Sequence, residues 1–268
     1  MSDFALLPVS LTRAAALIRT TAVAALVGFI VTVPAVAQEA GGWRVGVAEV
    51  PPAPEPGAKP RTSARIEVLA GQATAHAATL QAVAQDQVGR KLQQSDLDGW
   101  VGVWSATEDL PAGVQRRVLD WSVSPMAIMR TDTDIHQWAD LAGRTVCLSA
   151  DGRYVGELAA RHAAIEQVYP SATDALLALR VGRCDAAVQD EGLLRQLLRF
   201  PEWRKFSAQL APERQVTLVQ LQRADLSADA VAALHQSVAP AQLQKLAQQQ
   251  AKSIAFEVYL DQTVPDCH

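Results

Sequence analysis

The chain has 268 residues, 49% of them hydrophobic and 19% charged, and a formal net charge of -4. This composition excludes an intrinsically disordered chain, and the length allows two small lobes with cores of their own. Mild acidity, without an Arg/Lys run or interleaved aromatic and basic residues, argues against a nucleic-acid-binding surface.

At the N-terminus, Arg13 and Arg19 precede an apolar run from Thr20 to Val33, and Ala35-Val36-Ala37 before Gln38 forms an A-x-A cleavage signal. Residues 1–37 are read as a signal peptide for export. The alternative is an uncleaved anchor, although the run is shorter than the ~20 residues a membrane span prefers. No Cys follows the cleavage point to carry a lipid. Removing one acid and two arginines takes the formal charge from -4 to -5.

Trp43 to Val50 alternates and is β-rich, so it reads as the first strand; Pro51, Pro52, Pro54, Pro56 and Pro60 then forbid regular structure. Thr62 or Ser63 caps a helix over 64–75 with Ile66, Leu69 and Ala70 on one face. A strand over 79–84 and a helix over 85–94 follow, the alternation expected of an α/β lobe. Asp98 to Thr107 is an apolar strand ending in small polar residues. Pro125 to Arg130 is an extended apolar segment suited to a crossing between lobes.

From Ala139 to Asp190 the pattern is strand, helix, strand. TVCLS (145–149) and DAAVQ (185–189) are apolar runs closed by polar turns. A short strand over 165–169 and a helix over 175–181, capped by Ser171 or Thr173, lie between them. If the two outer strands are parallel neighbours, Ser149 to Tyr154 and Asp190 face one crevice at the sheet's C-terminal edge. Beyond lie a helix over 191–198, a break at Phe200-Pro201, a strand over 215–221, helices over 228–238 and 240–252, and a tail from Ile254.

Asp140-Leu141-Ala142-Gly143-Arg144-Thr145-Val146 and Gly182-Arg183-Cys184-Asp185-Ala186-Ala187-Val188-Gln189-Asp190, in that order and separation, resemble the D-L-x-G-x-x-V and G-x-x-D-A-x-x-x-D strands of the family 3 extracellular solute-binding proteins. The resemblance covers roughly Trp43 to Leu221. It implies an α/β fold of the periplasmic binding protein type II kind: two lobes, each a mostly parallel sheet flanked by helices, joined by two hinge crossings. Lobe 1 would take 38–128, the lobe 2 core 129–192, the lobe 2 end and second crossing 193–214, and the lobe 1 return strand, C-terminal helices and tail 215–268.

The resemblance also implies ligand contacts. Ser105 and Thr107 match the strand end that holds a ligand carboxylate, and Arg116, or Arg117 as second choice, matches a turn whose guanidinium clamps it. Asp190 matches the family's partner for the ligand ammonium, or else caps the following helix. Gly152 keeps the turn after the 145–149 strand, where Arg153 and Tyr154 replace two hydroxyl residues; Arg153 faces either the crevice or solvent. The family's ligand-stacking aromatic is missing before Pro51. Trp104 either supplies that wall or belongs to the core. Asp185 is read as structural.

Of three cysteines, Cys147 and Cys184 fall in or beside the two outer strands. A disulfide between them is expected if those strands are neighbours, two buried thiols being the alternative. Cys267 is the odd one out. The five His show no metal-ligand spacing, and neither a metal nor a cofactor is expected.

The leading expectation is a monomeric periplasmic protein, not an enzyme, that captures a small polar solute, an amino acid or related carboxylate, for an ABC-type permease. One alternative is a partner or sensor protein on the same fold. Another is a dehydratase-like enzyme using Glu49, Asp151 or Glu157 as acid or base.

Overall fold

In a computed structural model the described residues are 42–48, 60–74, 78–105 and 108–263. The expectations for residues 1–37, Glu49, Pro51, Pro52, Thr107 and Cys267 fall outside them. The first part of the chain builds β1 (Trp43–Ala48), α1 (Ile66–Thr74), β2 (Ala78–Val83), α2 (Gln85–Gln93), β3 (Gly99–Ser105) and β4 (Val114–Ser122). Next come β5 (Pro125–Met129), β6 (Thr145–Ser149), α3 (Glu157–His162), β7 (Ile165–Tyr169), α4 (Ala172–Arg180), β8 (Ala186–Asp190), α5 (Glu191–Leu197) and β9 (Ala208–Leu210). The chain ends in β10 (Val216–Arg223), α6 (Ala228–Ser237) and α7 (Pro240–Asp261).

These strands form two five-stranded sheets, β2-β1-β3-β10-β4 and β7-β6-β8-β5-β9. In each, four strands point one way and the strand next to the crossing runs against them: β10 pairs antiparallel with β3 and β4, β5 with β8 and β9. The chain passes from the first sheet to the second at 123–124 and returns at 211–215. This is the two-lobed, twice-crossed α/β architecture.

The central strands of each sheet are buried on both faces because helices cover both. Along β5, Met126 and Ile128 enter one core while Ala127 and Met129 enter the other, the alternation a pleated strand imposes. The indole of Trp100 lies so close to β3 itself that a Cβ on Gly102 would come within 2.1 Å of it. Glycine is required there for the largest side chain of that core to fit.

Three boundaries differ from the sequence reading. Pro125–Met129 is a full strand of the second sheet and not the end of lobe 1, since its register with β8 runs from Pro125↔Asp190 to Met129↔Ala186. The helix begun at Pro240 continues to Asp261, so the expected tail is helical from Ile254 to Asp261. That helix also does not belong to lobe 1 alone: Leu243 and Ala247 pack into the first sheet's core, whereas Ala251, Ile254, Ala255 and Val258 pack into the second's. Its continuity is what carries it from one core to the other.

The two crossings are bonded to each other. Val123 donates its N–H to the Val216 carbonyl (2.9 Å), the Val216 N–H donates to Ser124 Oγ (2.8 Å), and Ser122 Oγ donates to Glu191 Oε2 (2.5 Å). The segment before α1 adds a further tie. Arg61 pairs with Asp174 on α4 (2.6 Å) and Asp261 on α7 (2.5 Å), while Thr62 donates through N (3.0 Å) and Oγ1 (2.6 Å) to Glu257.

Candidate functional site

β6 and β8 are parallel neighbours, in register at Val146↔Ala186 and Cys147↔Ala187. Their C-terminal ends therefore lie side by side. Cys147 and Cys184 form a disulfide with Cα atoms 5.7 Å apart. Asp185 is structural: its Oδ2 accepts from the Thr145 N–H (2.8 Å) and hydroxyl (2.7 Å), tying the starts of the two strands.

After β6 the chain turns sharply, with the Gly152 N–H donating to the Ser149 carbonyl (2.9 Å). A Cβ on Gly152 would stand 2.7 Å from Ser149 Oγ and 2.9 Å from its carbonyl oxygen, so only glycine fits this turn. The turn delivers Arg153 and Tyr154 into the space beyond the strand ends.

Arg153 is turned inward. Its Nη2 lies 2.5 Å from Glu67 Oε2, and its Nε lies 3.4 Å from each oxygen of Asp190. Glu67 comes from the first turn of α1 beside the first sheet, and Asp190 from the end of β8 in the second. One guanidinium thus joins carboxylates carried by opposite lobes. Arg65 completes the cluster, pairing through Nε with Glu67 Oε1 and donating through Nη1 to the Asp151 carbonyl (3.3 Å).

Glu67 is fully buried, with Arg65 and Arg153 nearly so. Burial alone would raise the Glu67 pKa, but Arg153 and then Arg65 outweigh it and hold the carboxyl below its ordinary value. Burial opposes the charge on Arg153 too, and Asp190 and Glu67 over-compensate, raising its pKa. At Asp190 the balance is reversed. Burial raises its pKa, and Arg153 and Tyr154 offset only part of the shift.

Hydrogen-bond chemistry points the same way. Tyr154 Oη is 2.7 Å from the Val123 carbonyl and 2.6 Å from Asp190 Oδ1, two acceptors facing a hydroxyl with one proton. When Tyr154 donates to Val123, the short contact to Asp190 needs a proton on the carboxyl. Val123 lies on the first crossing, so this chain links Asp190 to the hinge.

Asp190 also sits one residue ahead of α5, yet its side chain makes no capping bond to that helix. Nearby, Ser149 Oγ donates to Gln189 Oε1 (3.2 Å), while Gln189 Nε2 and Asp151 Oδ1 are buried without a hydrogen-bond partner. Burial also raises the Asp151 pKa.

Other residues expected at the crevice lie elsewhere. Arg116 and Arg117 are within β4 and not on a turn, because pairing with β10 extends that strand back to Val114. Arg116 is exposed, with Nη1 3.5 Å from the Ser105 carbonyl; Arg117 donates to Gln220 Oε1 (3.2 Å) and the His235 carbonyl (2.9 Å) beneath α6. Neither is bonded to Asp190, whose guanidinium partner is Arg153. Trp104 belongs to the core with Trp100, ring centroids 6.1 Å apart, and donates to the Glu108 carbonyl.

Glu157 stands apart from the Arg153 cluster. It pairs with Arg214 (2.8 Å) and Arg161 (3.5 Å) beside a cavity also lined by Trp138, His162 and Glu213. Among the described residues no cluster of His, Cys, Asp and Glu could hold a metal ion, and no helix is long and apolar enough to cross a membrane.

The sequence reading missed Glu67 and Arg65. A signal for Glu67 existed: it shares the buried face of α1 with Ala70 and Thr74, three and seven residues on, an acid where the helical period calls for an apolar residue.

No family model matches the chain, and no curated protein does. Among solved structures it is similar to the substrate-binding protein of an amino acid ABC transporter, at 14% identity over 82% of this chain and 99% of that one, with a TM-score of 0.42. It is also similar to an ancestral cationic amino acid solute-binding protein, at 13% identity over 79% and 94% of the two chains, TM-score 0.45. A third is a mutant of ArgBP from T. maritima, at 18% over 82% and 96%, TM-score 0.41. At these identities the likeness concerns fold alone. The chain's own strand order and paired crossings define it as a two-lobed, twice-crossed α/β protein.

Proposed function

We propose that this chain is an exported, non-enzymic binding protein that captures a small polar solute between its lobes, an amino acid or related carboxylate, and presents it to an ABC-type permease. The observation that carries the reading is the convergence of Glu67 from the first lobe and Asp190 from the second on one guanidinium. Contacts from both lobes are what make closure depend on an occupant. The unpartnered Gln189 amide and Asp151 carboxylate oxygen support a polar ligand, since buried polar groups call for partners. A solute carboxylate would draw Arg153 and Arg65 away from Glu67, and a solute ammonium would be met by Asp190. Ser105, Thr107 and Arg116 remain proposed contacts.

The test is a melting-shift and calorimetric screen of the purified protein from residue 38 onward against amino acids and organic acids. A saturable shift with one solute, weakened by Asp190→Ala, is expected. A folded sample that binds nothing across the panel would sink the uptake reading. It would favour the second one, a partner or sensor protein on the same fold, for which the ties from Arg61 and Thr62 to α4 and α7 speak because they hold the lobes together without any solute.

A further inference from the structure

A guanidinium between two carboxylates from opposite lobes is a complete recognition site, and here its occupant is a side chain of the same protein. Arg153 is 16% exposed, donates to Glu67 through Nη2 and toward Asp190 through Nε, and is held in place by the glycine turn at 149–152. A group tethered this way faces its site at a high effective concentration, which a free cation must overcome. The same geometry leaves Glu67 and Asp190 as two buried carboxyl groups facing one shared guanidinium, plus Arg65 on the far oxygen of Glu67.

We propose that Arg153 is a tethered occupant of the interlobe crevice: it closes the lobes in the absence of solute and keeps free cations out, and Glu67 and Asp190 become a binding site for an alkylguanidinium once that side chain is cut back. The proposal rests on the crevice being the working site, as in the preceding section, but not on the identity or existence of a transported solute.

The probe is ethylguanidinium, the fragment that Arg153→Ala deletes, with ethylammonium at equal ionic strength as the control. Arg153→Ala is expected to bind ethylguanidinium in the millimolar range and to melt higher in its presence. It should prefer it to ethylammonium by about tenfold, because only the planar fork reaches both carboxylates. The wild type should show no such shift. Adding Glu67→Gln to Arg153→Ala should abolish it. Arg153→Met, whose stem refills the space without charge, should not respond to the probe, while small-angle scattering should show it more open than the wild type.

Equal responses to the two cations in Arg153→Ala, or the same ethylguanidinium response in the wild type, would overturn the proposal. Should Arg153→Ala fail to fold, its refolding yield in ethylguanidinium becomes the readout, and no recovery over ethylammonium also counts against it. Failure of the solute screen with success here would sink uptake but keep the tethered occupant; the reverse would keep the uptake reading alone.

Discussion

Glu67→Gln is the most informative single change because it removes one charge from the centre of the cluster while keeping the shape of the side chain. Wild-type Glu67 is fully buried between guanidiniums that are 14% and 16% exposed, so most of each cation stays out of water when its partner is lost. Breaking a buried ion pair by neutralising one member costs about 3–5 kcal/mol, most of it the uncompensated charge left behind. Arg153 keeps Asp190 and Arg65 keeps the Asp151 carbonyl, which places the loss near the lower end, about 3 kcal/mol. With an unfolding entropy of ~2.1 cal/mol/K per residue over roughly 220 residues, Tm should fall by about 6 °C. Urea denaturation followed by far-UV circular dichroism and by tryptophan fluorescence measures it. Adding Arg153→Met should recover part of the loss, since the double variant no longer buries an orphaned cation. A single-variant loss below about 1 kcal/mol would mean that water reaches the cluster and that the pairing is no better than a surface one.

Two further predictions follow from the second lobe. Replacing Cys147 and Cys184 by Ala and Ser removes a link across a sequence separation of 37, worth about 4 kcal/mol in the chain-entropy model, and denaturation with and without reductant should show that loss in the wild type only. Asp190 supplies the pH test. Its raised pKa means the folded protein holds a proton there more tightly than the unfolded chain, so its contribution to stability is present below the unfolded value and is lost as pH rises through the folded one. Asp190→Asn should therefore gain on the wild type as pH rises above about 4, by at most about 1.4 kcal/mol per pH unit. A difference between the two proteins that is flat with pH, or that falls as pH rises, would show Asp190 to be ionised throughout.

Much of this fold was legible because turn residues bound its strands tightly. The strands at 145–149 and 165–169 have the observed ends, and Ser171 caps α4 by accepting the Asp174 N–H. Strand β9, with three residues, is too short to show a period. The last turns of α7 are apolar on the face that packs against the second lobe and read as tail because Phe256, Tyr259 and Leu260 are exposed between the buried positions, blurring the helical stripe. At the candidate site, motif positions singled out Arg153 and Asp190 but did not show that they pair with each other. Their partner Glu67 lies over eighty residues earlier in a helix with no motif, and that kind of proximity is made only by the packing of one lobe on the other. The turn expected at Arg116 and Arg117 is a strand for a local reason. A turn was inferred from residue types, and β-pairing with a strand a hundred residues later prevailed over it.

The long final helix sets the terms on which this molecule can change shape. A hinged pair of plates joined only at two strands can swing freely, but a rigid rod of 22 residues embedded in both plates must either slide from one seat or twist about its own axis when they part. Separation therefore exposes apolar surface along the rod in proportion to its extent, and amide protons in the last turns of the rod should exchange in step with those of the crossings. For the same reason neither plate should survive expression on its own: a cut ahead of Pro240 would strip a wall from each interior at once.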